Sequence, residues 1–310
     1  MIFVCILAAL IVIYLGITLF LVHKFSYMVL TPKTHTYESL LEECLQNGKF
    51  TQEYIDGLTP ENITIQSRYG YELKGIILDN EVSRRPEYAS RVAVICHGYT
   101  AAKLSMHNYA LMLMNMGFTC VMYDHRNHGE TGKVAYTTMG FYEKYDLQTI
   151  VDYCYERFGS DIRLLTYGES MGSATVLSHL EIDTRPVMTV ADCGYSDLTD
   201  LFHYMLSDVF HVPGIFPILP LANRILARKG HFLMEQVSPI RGVRRAGSTI
   251  LFIHGLADTF IPCRMSEEMS KAGSGVRELF LCPNAEHALS DVTEPEAYLE
   301  VLTNFVNRYY

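Results

Sequence analysis

Tryptophan is absent from this 310-residue chain, no two cysteines stand in a C-x-x-C pair, and Lys and Arg together number 25 against 34 Asp and Glu. The resulting formal net charge of −9 argues against a general nucleic-acid binder, because neutralising phosphates takes a surplus of basic side chains. The eight cysteines, at positions 5, 44, 96, 120, 154, 193, 263 and 282, have neither metal-type nor redox-type spacing. Several sit inside apolar runs such as "VAVICHG", which reads as buried free thiols. No internal repeat and no low-complexity tract is present, and no Lys or Arg precedes Lys24.

Hydrophobic residues make up 49% of the chain, enough to bury a substantial core in one large domain or two small ones. The first segment, "MIFVCILAALIVIYLGITLFLV", is uncharged through Val22. Twenty-two residues at helical rise cover about 33 Å, against a hydrocarbon core of about 30 Å, so residues 1–23 read as a single transmembrane anchor. A cleaved signal would show basic residues before the apolar run and a small-x-small site after it, and neither is there. Lys24 and Lys33 follow the run, which by the positive-inside tendency puts the bulk of the chain on the cytoplasmic side of the cell membrane.

Residues 24–60 read as a polar, partly helical connector, and a folded domain is expected over 61–310. It opens with two β-type runs around Tyr69 and Gly70, an expected antiparallel hairpin. Short apolar strand candidates follow at 92–96, 119–123, 163–167, 187–191, 249–253 and 278–281. Between them, Leu147, Ile150, Val151, Cys154, Tyr155 and Phe158 keep helical spacing up to Gly159. Alternating strands and amphipathic helices imply an α/β fold with a mostly parallel sheet covered on both faces.

Ligands of such sheets bind beyond the carboxyl ends of the strands. There the chain carries "HGYT" at 97–100, "GESMG" at 168–172, "HGLADTFIP" containing Asp258, and "PNAEHA" containing His287. Ser170 between Gly168 and Gly172 is a G-x-S-x-G pattern, in which the serine is presented on a sharp strand-to-helix turn. A serine hydroxyl needs a base to become a nucleophile and the base needs an orienting acid; His287 and Asp258 are the candidates. Asp192 also follows a strand and is the alternative acid.

The order Ser170, Asp258, His287, with a strand before and a helix after the serine, resembles the alpha/beta-hydrolase superfamily. "YDHRNHGET" at 123–131 is similar to the D-x-R-G-H-G-x-S loop of that superfamily, with Asn127 in place of Gly and Thr131 in place of Ser. With its apolar N-terminus the chain looks most like bacterial membrane-anchored serine hydrolases related to cinnamoyl esterases and monoacylglycerol lipases. That resemblance favours Asp258 over Asp192. It implies an oxyanion hole from the backbone N–H groups of Tyr99 and Met171, and a cap, here expected at about 195–247. The expected activity is hydrolysis of small-molecule carboxylic esters with an apolar portion, lipid-derived esters among them, with no cofactor and no metal; an amidase or peptidase, or a silent membrane-tethered binding module, are the alternatives.

Other polar residues near these motifs read as structural. His97, His125, His128 and His254 are expected to brace loops, and Glu169 and Asp291 to be solvated carboxylates, the alternative being that they tune His287. Between Arg224 and Arg245 there are six basic residues and one acid, Glu235, directly after the apolar stretch 209–222. Pairing with acids elsewhere is the plainer expectation for these six; contact with anionic lipid is the other.

Overall fold

A computed structural model describes all 310 residues. The chain begins with α1 (Ile2–Leu30), then α2 (Tyr37–Gln46) and the short α3 (Gln52–Asp56). The sheet elements and their helices follow as β1 (Glu61–Gln66), β2 (Glu72–Leu78), β3 (Arg91–Cys96), α4 (His107–Asn115), β4 (Thr119–Tyr123), α5 (Glu143–Phe158), β5 (Arg163–Glu169), α6 (Met171–His179) and β6 (Pro186–Asp192). An insertion holds α7 (Leu198–Tyr204), α8 (Ile218–Ile225) and α9 (Pro239–Arg245). The chain ends with β7 (Thr249–Gly255), α10 (Arg264–Ser270), β8 (Arg277–Cys282), α11 (Ser290–Thr293) and α12 (Pro295–Tyr309).

One eight-stranded sheet, in the order β1-β2-β4-β3-β5-β6-β7-β8, runs through the molecule. The hairpin β1–β2 and the pair β2–β4 are antiparallel; every other pair is parallel. Residues 92–96 of β3 are all buried, as expected of a parallel strand covered by helices on both faces. On one face, Leu147, Ile150, Val151 and Cys154 of α5 pack with Val176 and Leu177 of α6. On the other, Tyr109 and Leu113 of α4 pack with Tyr298, Leu302 and Phe305 of α12.

The strand order has a consequence for function. From β3 the chain moves outward to β4, then returns to place β5 on the opposite side of β3. The loops leaving β3 and β5 therefore diverge and open a crevice at their carboxyl ends, where doubly wound sheets hold ligands. The loop His97–Thr100 and the serine at 170 face each other across it.

The insertion is a set of short segments rather than one helix, as its prolines foretell. Wide turns, with the Phe210 N–H reaching the Met205 carbonyl at 2.8 Å, extend α7, and a similar turn extends α8 to Gly230. Six of the eight cysteines are buried thiols; Cys5 is exposed and Cys263 half-buried.

The N-terminal helix continues to Leu30 and does not stand apart from the domain. Its first turns are exposed, but Val22, Phe25, Val29 and Leu30 are buried against Leu201, Phe202, Ala222 and Leu226 of the insertion. Residues 31–60 are likewise tied down: the Tyr37 hydroxyl donates to Asp124 at 3.0 Å, and the Lys49 ammonium reaches Glu169 at 3.0 Å. All six basic side chains between Arg224 and Arg245 are exposed, and none joins an ion pair, contrary to the plainer expectation.

Phe25 meets Phe202 edge-on, with ring centroids 4.9 Å apart. Phe25→Ala should cost about 3 kcal/mol of stability, read as an earlier thermal unfolding transition in detergent. The insertion should at the same time become more sensitive to protease around 205–217. A variant as stable as the parent would mean that α1 contributes nothing to the packed unit.

Candidate active site

Ser170 sits between β5 and α6 with φ +55°, a left-handed conformation that costs a serine about 1–3 kcal/mol. Its neighbours make the turn sterically possible. A Cβ on Gly168 would lie 2.3 Å from the Gly172 carbonyl carbon, and one on Gly172 would lie 2.1 Å from the Cys96 carbonyl oxygen. The turn is held by the Ser170 N–H donating to the Asp192 carbonyl and the Ala174 N–H donating to the Ser170 carbonyl, at 2.9 and 3.1 Å. The hydroxyl is thereby pushed out into the crevice.

Two loops from the far end of the sheet complete the arrangement. The Ser170 hydroxyl lies 2.9 Å from Nε2 of His287, carried after β8, and Nδ1 of the same imidazole lies 2.7 Å from Oδ2 of Asp258, carried after β7. The chemistry of the three groups sets the proton positions: Nδ1–H donates to the carboxylate, leaving Nε2 to accept from the hydroxyl. Asp258 accepts on its other oxygen from the N–H groups of Phe260 and Ile261, both at 2.8 Å. Burial pushes this carboxyl up, but the hydrogen bonds from His254 and His287 outweigh it and hold the group below the usual carboxylate range.

Asp192 is elsewhere in chemical terms. Its carboxylate points into the tyrosine cluster beneath the sheet, where Tyr298 and Tyr167 donate to Oδ2 at 2.7 and 3.2 Å. Burial raises its pKa to about 7. It makes no contact with His287; its part in the site is the backbone carbonyl under Ser170.

The N–H groups of Tyr99, in the loop after β3, and of Met171, at the first turn of α6, have no backbone acceptor, and both residues line a cavity with Ser170. The Tyr99 phenol donates to the Met28 carbonyl of α1. Beside Ser170 opens an apolar cavity of about 180 Å³, walled by Met28, Val29, Met139, Phe202, Met205 and Phe260 among others. A second, more polar cavity of about 200 Å³ lies next to Ser170 and His287, bounded by Glu43, Lys49, Tyr99 and Ser105. A larger surface hollow of about 450 Å³, on the insertion between α7 and α8, reaches none of these residues.

A solved structure shares this framework: that of the Pyrococcus furiosus esterase Pf2001 superposes with a TM-score of 0.65, covering 84% of this chain and 97% of that one at 20% identity. The chain has the alpha/beta-hydrolase fold. The Pyrococcus horikoshii acylaminoacyl peptidase matches with a TM-score of 0.59 at 18% identity, covering 83% of this chain and 43% of that larger one. Residues 88–191 match the family model described as serine aminopeptidase, S33. Among curated proteins, the uncharacterized YqkD of Bacillus subtilis is 28% identical over 285 residues, 91% of each chain, and the uncharacterized YfhR of Escherichia coli strain K12 is 24% identical over 259 residues, 81% of this chain and 82% of that protein.

Within the hydrolase fold the remaining polar residues differ in part from their sequence reading. His97 takes the His125 N–H on Nε2 at 2.9 Å, and His128 takes the Thr100 N–H at 3.2 Å, so both brace loops. His125 is buried against them with no hydrogen bond to its ring. Burial holds all three below the usual imidazole range, which keeps them neutral. His254 does more than brace a loop: its Nε2 stands 3.2 Å from Asp258. Glu169 and Asp291 are buried, not solvated. Glu169 accepts from Lys49 and Tyr109 at 3.0 and 2.7 Å, and Asp291 takes the Asn108 amide. Lys49, Met28 and Val29 carried no local signal, because nothing in an apolar run or a polar connector marks which residues fold back onto a site.

The two acids should separate cleanly. Asp258→Asn is expected to lower kcat by roughly 10⁴, through loss of the imidazole tautomer, while Asp192→Asn lowers it little. Stability against pH reads the second acid. Because the folded pKa of Asp192 is raised, its contribution is complete below the ordinary aspartate pKa and is lost as the pH rises through about 7. Asp192→Asn should flatten that decline between pH 4 and 7, measured by denaturant titration; the reverse ranking in kcat would exchange the two roles.

Proposed function

We propose that the chain is a serine hydrolase acting on carboxylic esters with an apolar acyl portion. The observation that carries this is the hydrogen-bonded relay Ser170–His287–Asp258 opening directly onto an apolar cavity. In this reading His287 takes the Ser170 proton as the hydroxyl oxygen attacks the ester carbonyl, and Asp258 stabilises the imidazolium. The N–H groups of Tyr99 and Met171 receive the developing oxyanion, each worth about 10² to 10³ in kcat. The imidazolium then protonates the departing alcohol, leaving an acyl-Ser170 ester. Water, deprotonated by the same imidazole, hydrolyses that ester and restores the serine. No cofactor or metal enters any step.

Amide or peptide cleavage uses the same groups and is the second reading. The match of residues 88–191 to a serine aminopeptidase family model favours it, and the apolar acyl cavity favours the ester. A silent binding module is disfavoured by the relay itself, since Asp258 and His287 are oriented as a nucleophile requires.

The 29 residues of α1 are long and apolar enough to cross a membrane. A segment that buries one face of its second half in the domain suits a retained anchor better than a removed signal. With Lys24 and Lys33 after the apolar run, the proposed placement is a single-pass protein of the cell membrane with its hydrolase domain on the cytoplasmic side.

Ser170→Ala should abolish labelling by a fluorophosphonate probe and lower ester turnover on the order of 10⁴ or more, with little change in stability. Across p-nitrophenyl esters of graded length and aminoacyl anilides, the esters should dominate; a preference for anilides would install the peptidase reading, and a folded wild type that does not label would remove both. Protease added to intact cells should spare the domain, whereas rapid digestion there would put it on the outer side.

A further inference from the structure

The helix that reads from sequence as an anchor is also a piece of the cavity beside Ser170. Met28 and Val29 stand in its wall, with Val29 only 2% exposed. The carboxyl end of α1 is fastened to the site by hydrogen bonds that a mere tether does not need. Its Met28 carbonyl accepts from the Tyr99 phenol, and its Leu30 carbonyl accepts from the Thr137 N–H at 3.0 Å and the Asn127 amide at 3.3 Å. Tyr99 belongs to the loop after β3 and lines the cavity together with Ser170.

Toward its amino end the same helix holds the insertion. The Tyr14 hydroxyl donates to the Ile215 carbonyl at 2.7 Å, and its ring stacks on Phe216 with centroids 5.4 Å apart. Sixteen residues later in α1 and fourteen later in the insertion, Leu30 meets Gly230, so α8 and its extension run alongside α1 in the same direction. Whatever depth α1 reaches in a bilayer, Ile215 and Phe216 are drawn to the level of Tyr14, while Phe210 reaches back to the level of Met28 and Val29.

That segment is suited to such a place. Ile215 is 69% and Phe210 46% exposed, and Phe210 also lines the mouth of the cavity together with Phe260. A second band, of opposite character, lies further along: Arg228 and Lys229 are exposed without a carboxylate partner, and Lys229 borders a small hollow with His23, Ser26 and Tyr27 of α1. An apolar band followed by a basic one along a single helix is the profile of a protein seated in the acyl region with its cations at the phosphates.

We propose that α1 is a wall of the acyl-binding site, that Met28 and Val29 set the acyl length accepted, and that long-chain acyl esters enter from the bilayer between α1 and the segment 210–217. This rests on the ester-hydrolase reading, and its test separates the two. The full chain is reconstituted in phosphatidylcholine vesicles and assayed with p-nitrophenyl acetate, supplied from water, and p-nitrophenyl dodecanoate, dissolved in the bilayer. Val29→Trp should lower the dodecanoate-to-acetate ratio of kcat/KM by at least about tenfold, and Val29→Ala should raise the preferred chain length. Val29→Ala carries the measurement if the tryptophan variant does not fold. Ile215→Asp should lower dodecanoate turnover in vesicles about tenfold relative to the same ester in detergent micelles, because a charge at that position opposes seating in the bilayer. Unchanged chain-length profiles in both Val29 variants, or an unchanged vesicle-to-micelle ratio in Ile215→Asp, would overturn the proposal while leaving acetate hydrolysis as evidence of an esterase. Failure of the wild type to hydrolyse acetate would remove the esterase reading and this inference with it.

Discussion

The left-handed turn at Ser170 is the constraint on which the site rests. It stores strain that an isolated peptide would release at once, and it persists because Gly168 and Gly172 let α6 press against β3 and β5 at distances no side chain tolerates. The same turn leans on the Asp192 carbonyl of β6. Three adjacent parallel strands thus hold one torsion angle, and the direction of the Ser170 hydroxyl follows from it.

Around that fixed point the polar groups fall into two systems. One faces the crevice: Asp258 is kept ionised by two histidines and two backbone N–H groups, in a pocket that hands His287 to the serine in a single tautomer. The other lies behind the serine: Lys49, Glu169, Tyr109, Asp291 and Asn108 form a buried network in which burial disfavours the Lys49 ammonium but the carboxylates of Glu169 and Asp291 hold it charged. Ion pairs of this depth add little net stability, since desolvation offsets attraction, but removing one partner strands a charge. This network ties the 31–60 segment to β5 through Lys49 and Glu169.

Hydrophobic packing joins a third part of the chain to the same place. Met171, next to the serine, Met139, the insertion, and the second half of α1 form one continuous apolar cluster. Helix α1, the insertion and the wall of the cavity beside Ser170 are therefore faces of a single packed unit.

The sequence by itself determined the sheet, its helices and the relay. Residues 92–96, 163–167 and 249–253 are apolar runs bounded by turn residues, the α5 stripe has period 3.6, and Ser170, Asp258 and His287 each stand just after a strand, so local pattern and chain order suffice to find them. Chain order already favours Asp258 over Asp192, and the tertiary structure supplies the physical difference: one carboxylate meets an imidazole and the other a pair of tyrosines. The tertiary structure alone buried Glu169 and Asp291 and left the six basic residues of 224–245 unpaired, since a charge's partners are set by contacts far apart in the chain. It alone brought Met28 and Val29 to the serine. Hydropathy reports that a segment prefers an apolar surrounding; in α1 the structure decides that one face of its second half, Val22, Phe25, Val29 and Leu30, finds that surrounding in the domain, because the apolar side chains of the insertion meet it there.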